Sequence, residues 1–119
     1  MRLAVVGSVN LTLPQWELAT ILIRGVIWDQ GPDILISGGA KGIDLTAESC
    51  AEDFDLPTKI YLPNNQRWKP DGFEDRNLLI AQDCTHLLCI RTSQSTTYGS
   101  GWTADRAEEM GKTVWRVTI

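Results

Sequence analysis

The segment Ser37-Gly38-Gly39-Ala40-Lys41-Gly42 has the residue types needed to hold an anion. Gly38 and Gly39 let a ligand approach the backbone and can adopt positive φ. Gly42 opens a predicted helix, whose first amides lack intrahelical acceptors and carry roughly half a unit of positive charge. Lys41 adds a full charge. Asp44, in the first turn, is suited to accept from a sugar hydroxyl or to cap the helix. The segment is neither a Walker A loop nor G-x-G-x-x-G, and a tight β-to-α turn is the plainer account of its glycines.

A second segment repeats the logic. Thr96, Thr97, Gly99, Ser100, Gly101, Trp102 and Thr103 supply hydroxyls and amides ahead of another predicted helix. A third, Gly7-Ser8-Val9-Asn10, offers Ser8 and Asn10 as short hydrogen-bonding side chains, equally suited to helix capping. Arg76-Asn77 places a guanidinium early in a helix, where it could grip a phosphate through two bonds or simply be solvated. Trp68, Trp102 and Tyr98 flank these segments and could stack on a base, whereas Trp16, Trp28 and Trp115 read as core or dimer-interface residues. The one histidine, His86, falls at the start of a predicted strand and reads as structural. No nucleophile elbow and no His/Cys/carboxylate cluster is present, so neither serine-histidine chemistry nor a metal site is expected, and no cofactor is required.

These segments need a common scaffold. Short apolar runs, Leu3–Val6, Asp33–Ser37, Lys59–Leu62, His86–Ile90 and Thr113–Val117, alternate with helical stretches. The first helix begins near Pro14 and stops at Gly31-Pro32. It carries Leu18, Leu22 and Val26 beside Ala19, Ile23 and Ile27. The others are read as Gly42–Phe54, Phe73–Asp83 and Trp102–Met110, the last closed by Gly111. Strands that are apolar throughout imply burial on both faces and hence a parallel sheet. The expectation is one α/β domain over residues 1–119: a Rossmann-like three-layer sandwich with a mostly parallel five-stranded sheet. Four loops then share the carboxyl edge of that sheet, where such folds bind ligands. The longest, Pro63–Gly72, is polar. Lys41, Arg67, Lys69, Arg76, Arg91 and Arg106 are placed by this reading in loops or near helix starts on that edge.

Composition sets the outer limits. A net charge of −4 argues against duplex nucleic acid but not against a small anion, which needs only a local positive site. Three cysteines, Cys50, Cys84 and Cys89, fit no disulfide framework or zinc ribbon and suggest a reducing, cytoplasmic setting. No apolar run reaches membrane-spanning length, and the amino-terminal run breaks at Gly7, too soon for a signal peptide.

Gly7-Ser8, Ser37-Gly38-Gly39-Ala40-Lys41-Gly42-Ile43-Asp44, Arg76-Asn77 and Gly99-Ser100-Gly101-Trp102-Thr103 together resemble the SLOG superfamily, most closely its YspA/YpsA-like branch. The resemblance runs in order over nearly the whole chain. It implies a nucleotide-binding or sensor module with a nucleotide-derived ligand, and homodimerisation. Relatives include the Lonely Guy phosphoribohydrolases, DNA-processing protein A, molybdenum cofactor carriers and sensor domains of bacterial conflict systems. Two alternatives follow from it: an N-glycosidic hydrolase acting on a nucleoside monophosphate, and a single-stranded DNA binder. Two departures stand out. Val9 occupies a place where arginine is usual in the YspA-like branch. Arg106 stands where Lonely Guy enzymes have their catalytic glutamate, with Asp105 one residue early and about 100° around the helix. The candidate catalytic groups are therefore Arg76 with Asp105 or Glu108.

Overall fold

The computed structural model describes all residues, Met1–Ile119. The elements follow in order as β1 (Arg2–Gly7), α1 (Leu13–Gln30), β2 (Ile34–Ser37), α2 (Ile43–Asp53), β3 (Thr58–Ile60), α3 (Phe73–Asp83), β4 (His86–Arg91), α4 (Gly99–Glu109) and β5 (Thr113–Thr118). The five strands form one all-parallel sheet in the order β3-β2-β1-β4-β5. In the centre, Leu3 lies between Leu35 and His86.

Side chains alternate across the sheet and divide the core into two layers. Leu3, Val5 and Leu35 face α1 and α2, where they meet Ile23, Ile43 and Ala47. Ala4, Val6 and Ile36 face α3 and α4, against Ile80, Ala81, Ala104 and Ala107. This is the three-layer α/β sandwich expected from the sequence. Cys50, Cys84 and Cys89 are free and buried within it. No helix is long and apolar enough to cross a membrane.

Topology positions the site. The chain leaves β1 through α1 towards β2, and leaves β4 through α4 towards β5, on opposite sides of the sheet. The loops after β1 and β4 therefore part, opening a crevice at the carboxyl ends of the two strands.

Four sequence readings need correction. α4 starts at Gly99, not Trp102, so Gly99, Ser100 and Gly101 form its first turn. Its backbone is held there by Trp102 N–H donating to Tyr98 O (2.8 Å) and by the Thr103 hydroxyl donating to Gly99 O (2.8 Å). As a result, Arg106 sits in the last turn, paired with Glu109 at 2.6 Å and remote from the helix start. β3 is shorter than its apolar run, because Tyr61 turns inward and donates its hydroxyl to Asp83 (2.7 Å). The buried row of α1 is Ala19, Ile23 and Ile27, while Leu18 is half exposed. Of the three tryptophans read as core or dimer-interface residues, Trp16 and Trp28 are 47% and 81% exposed and so lie outside the core, while Trp115 packs partly buried against it.

Candidate functional site

A cavity of about 730 Å³ occupies the crevice between the ends of β1 and β4. Val6 and Gly7 from β1 line its base, and the first residues of three helices line its sides: Asp44 of α2, Phe73 of α3, and Gly99 of α4. None of these three helices has a side-chain cap on its free amides. The fourth helix, α1, has a complete one. Thr12 accepts from the Gln15 amide and the Gln15 side chain accepts from the Thr12 amide. At α3 the first two amides donate to backbone instead, Phe73 to Arg67 O (2.8 Å) and Glu74 to Trp68 O (2.9 Å). The Asp44 and Leu45 amides of α2 and the Gly99, Ser100 and Gly101 amides of α4 have no acceptor in the protein, and such amides favour an anion.

The Ser37–Gly42 turn explains its own glycines. Gly42 has φ 77°, and a Cβ there would lie 2.3 Å from Ser8 O, the acceptor for the Ile43 amide (3.0 Å). Gly38 has no room for a Cβ, which would stand 2.6 Å from Arg76 Nη1 and 2.8 Å from Asp44 Oδ2. Ser37 is buried and braces the turn. Its hydroxyl donates to Glu48 (2.6 Å) and accepts from the Gly39 amide (3.2 Å).

Arg76 and Asp44 meet across Gly38 and set the electrostatics. Arg76 is 9% exposed. Its Nη1 donates to the carbonyl of Gly38 and to that of Tyr61 (3.3 Å), its Nε donates to Asn77 Oδ1 (2.7 Å), and its guanidinium lies 5.5 Å from the centre of the Phe73 ring. Nη2 has no partner in the protein, and Arg76 takes part in none of the seven ion pairs of the chain. Burial lowers its proton affinity, and the nearby Asp44 charge partly restores it. A buried cation without a counter-anion is costly, and an anion supplied from the cavity would offset that cost.

Asp44 is 5% exposed, and its carboxyl pKa is pushed up to about 7. Burial is the main cause, with Glu48 adding to it. The Ala40 amide (3.3 Å), the Arg76 charge and the Gly38 amide act in the opposite direction. Asp44 is the only carboxyl group lining the cavity. Near neutral pH it can therefore be present as acid or as carboxylate.

The structure separates the residues proposed from sequence into two sets. Gly7, Gly39, Ala40, Lys41, Asp44, Arg76, Asn77, Gly99, Ser100 and Thr103 line the cavity, and Gly38 lies directly behind Arg76 and Asp44. Ser8 is buried and its hydroxyl accepts from the Thr92 amide (3.0 Å), tying the β1 loop to β4. Asn10 borders a smaller crevice with Thr12 and Gln94. Gly42 packs under the Ser8–Val9 backbone. Gly101 and Trp102 lie outside the lining, although Trp102 makes an edge-on contact at 5.2 Å with Trp68, which is part of it. Asp105 is also outside. It accepts from the Tyr98 hydroxyl (2.8 Å) and pairs with Arg116 (2.9 Å), and these bonds hold its carboxyl below its ordinary pKa. Glu108 binds the same arginine at 2.9 Å. His86 is at the opposite end of β4, beside Thr85 (2.8 Å) and Trp115. No three His, Cys, Asp or Glu side chains gather as a metal set. Gln66, Phe73, Val9 and Ile80 were not anticipated as lining residues. The long polar loop carrying Gln66 was the available signal, since it ends at the start of α3.

Comparisons with known proteins agree with this fold. DNA processing protein A from Streptococcus pneumoniae superposes with a TM-score of 0.74 at 23% identity, over 97% of this chain and 49% of that one. DNA processing protein A from Helicobacter pylori, solved for its single-stranded DNA binding mode, gives 0.70 at 18% identity, over 98% of this chain and 64% of that one. A protein designated TM1055 gives 0.73 at 16% identity, over 95% and 71%. The chain thus spans about half the length of the first of these proteins and under two thirds of the second. No protein-family model matches the sequence, and no curated protein does.

Proposed function

We propose that this domain binds a nucleotide or a nucleotide-derived phosphate in the β1/β4 cavity and serves as a binding or sensor module. The supporting observation is Arg76, a buried guanidinium with no counter-ion and a free Nη2, set beside the open first-turn amides of α2 and α4. The cavity has the size usual for small-ligand sites, about 300–1,000 Å³. Val6, Val9, Phe73, Ile80 and Trp68 give it apolar surface for a base, while the helix starts and Lys41 suit a phosphate. The test is thermal stabilisation by a panel of nucleotides, with calorimetry on any that bind. Arg76→Ala should lose 1.5–3 kcal/mol of binding, on the order of 10- to 150-fold in Kd, as expected for hydrogen bonds to a charged group. If no nucleotide raises the Tm of the wild type at millimolar concentration, the reading fails.

Two observations favour other uses of the same cavity. Asp44, poised near neutrality inside it, is the group an N-glycosidic hydrolase would use as general acid, a role Asp105 is not placed to fill. Ribose 5-phosphate released from AMP by the wild type, but not by Asp44→Asn, would establish that activity. Lys41, Arg67 and Lys69 are exposed around Trp68 and Tyr98, a combination of charge and aromatic surface suited to single-stranded DNA. The Helicobacter pylori protein of similar fold binds such DNA. Oligonucleotide retention that falls steeply with salt would select this reading.

A further inference from the structure

α1 is apolar on two opposite faces. Ala19, Ile23 and Ile27 are buried against the sheet. Directly opposite, Pro14, Leu18, Ile21, Gly25 and Trp28 recur at spacings of four, three, four and three residues, and all five are exposed. Leu18 is 50%, Ile21 69% and Trp28 81% exposed. That spacing is the seam of a helix that packs on another helix. The stripe is about 21 Å long at 1.5 Å per residue. It continues into an apolar groove between α1 and the end of the sheet, lined by Val26, Leu88, Trp115 and Val117.

Gly25 points to a helix as the occupant. It lies in the interior of an eighteen-residue helix, where glycine is less favourable than alanine. A Cβ at this position would meet nothing within 4 Å. Its φ is not positive, so neither backbone conformation nor packing within the chain calls for glycine. A second helix crossing close over the stripe would.

We infer that this face joins two copies of the chain through antiparallel packing of α1 on α1, with the two-fold axis at Ile21. A two-fold contact must be self-complementary, and the stripe is. In that register Ile21 meets Ile21 of the second copy. Leu18 falls within one residue's rise of the partner's Gly25, a large side chain against a notch. Pro14 comes opposite Trp28. The charged border of the stripe matches as well. Glu17 and Arg24 lie on the same flank, and the two-fold operation sets each Glu17 within one residue's rise of the partner's Arg24. Arg24 is 45% exposed and holds Asp53 at 2.8 Å, which leaves it open to a second carboxylate. The contact is on the layer of the sandwich opposite α3 and α4, so it does not depend on the ligand reading above.

Sedimentation equilibrium of the full chain tests this. The wild type should show a mass of twice 13.2 kDa. Ile21→Glu, which sets two carboxylates against each other on the axis, should give the single-chain mass with an unchanged circular dichroism spectrum. Gly25→Leu should do the same by filling the notch, although it raises helix propensity and so cannot act by unfolding α1. Glu17→Arg should weaken the dimer roughly tenfold across its two symmetric pairs, and adding Arg24→Glu should restore it. Ile21→Cys should cross-link two chains on oxidation, since the native cysteines are buried. A wild type that remains a single chain at several hundred micromolar overturns the inference. So does a dimer that neither Ile21→Glu nor Gly25→Leu dissociates.

Discussion

Asp44→Asn should remove a pH dependence of stability that is written into the cavity. In the unfolded chain the Asp44 carboxyl ionises near its ordinary value of 3.8, and in the fold it keeps its proton until about pH 7. Between those values the folded state binds more protons than the unfolded state, so stability falls as pH rises through this window. Below it both states are protonated, and above it both are ionised, so the contribution of Asp44 is flat on either side. A displacement of roughly three pH units corresponds to about 4 kcal/mol at 1.36 kcal/mol per unit, taken as a ceiling. Asparagine has the same shape, can still accept from the Ala40 amide and carries no charge to desolvate. The variant should therefore match the wild type at pH 4 and exceed it at pH 8 by up to that amount. For a domain of this size that is on the order of 15 °C in Tm. Thermal melts of both proteins from pH 4 to 9 decide it, with the difference between the curves as the readout, because every other titrating group is common to both. Parallel curves across pH 4–8 would refute the assignment of a proton to Asp44. A bound phosphate should extend the protonated range upward, since it adds negative charge near the carboxyl.

Three further outcomes follow from the geometry. Gly38→Ala puts a methyl group 2.6 Å from Arg76 Nη1. It should weaken nucleotide binding at least as much as it lowers Tm, measured by calorimetry beside melts. Asp105→Asn should leave ligand affinity unchanged and cost less than about 1 kcal/mol in urea unfolding, since it loosens only an exposed pair with Arg116 and a bond from Tyr98. Thr12→Ala breaks the capping box of α1 and should cost about 1 kcal/mol in the same assay without altering nucleotide affinity.

The central strands could be read from sequence because a parallel strand covered on both faces has to be apolar throughout, as Leu3–Val6 and Leu87–Ile90 are. α3 was read with its ends correct, between Gly72 and Cys84. The edge was less legible. Thr58, Lys59 and Ile60 are all exposed, so no burial pattern marks β3, and the apolar Tyr61-Leu62 drew the reading two residues onward. The start of α4 was hidden because Gly-Ser-Gly has poor helix propensity, and tertiary context overrode that preference. The role of Asp44 could not be read from its type or position. Its raised proton affinity comes from burial, with Glu48 adding to it against the opposing Arg76 charge and Ala40 and Gly38 amides, an environment the fold assembles from separate parts of the chain.

The capping pattern ties these features together. A side-chain cap contributes about 1 kcal/mol to a helix, and this sequence places one on α1, whose start lies off the main cavity, and none on α2, α3 or α4. Glycine stands at the N-cap of both α2 and α3, where serine or aspartate would have been the stabilising choice. Arg76 repeats the pattern, as a buried cation left without a carboxylate although the chain carries fifteen acidic residues. Asp44 sits across Gly38 from it yet is held outside ion-pair distance, and its burial favours the neutral acid. Arg76 Nη2 and the first-turn amides of α2 and α4 thus stand without acceptors in the crevice where β1 and β4 diverge. A ligand that supplied one anionic group there would satisfy Arg76 and the helix amides together. Its stabilisation of the fold should then exceed what its contact area alone would give.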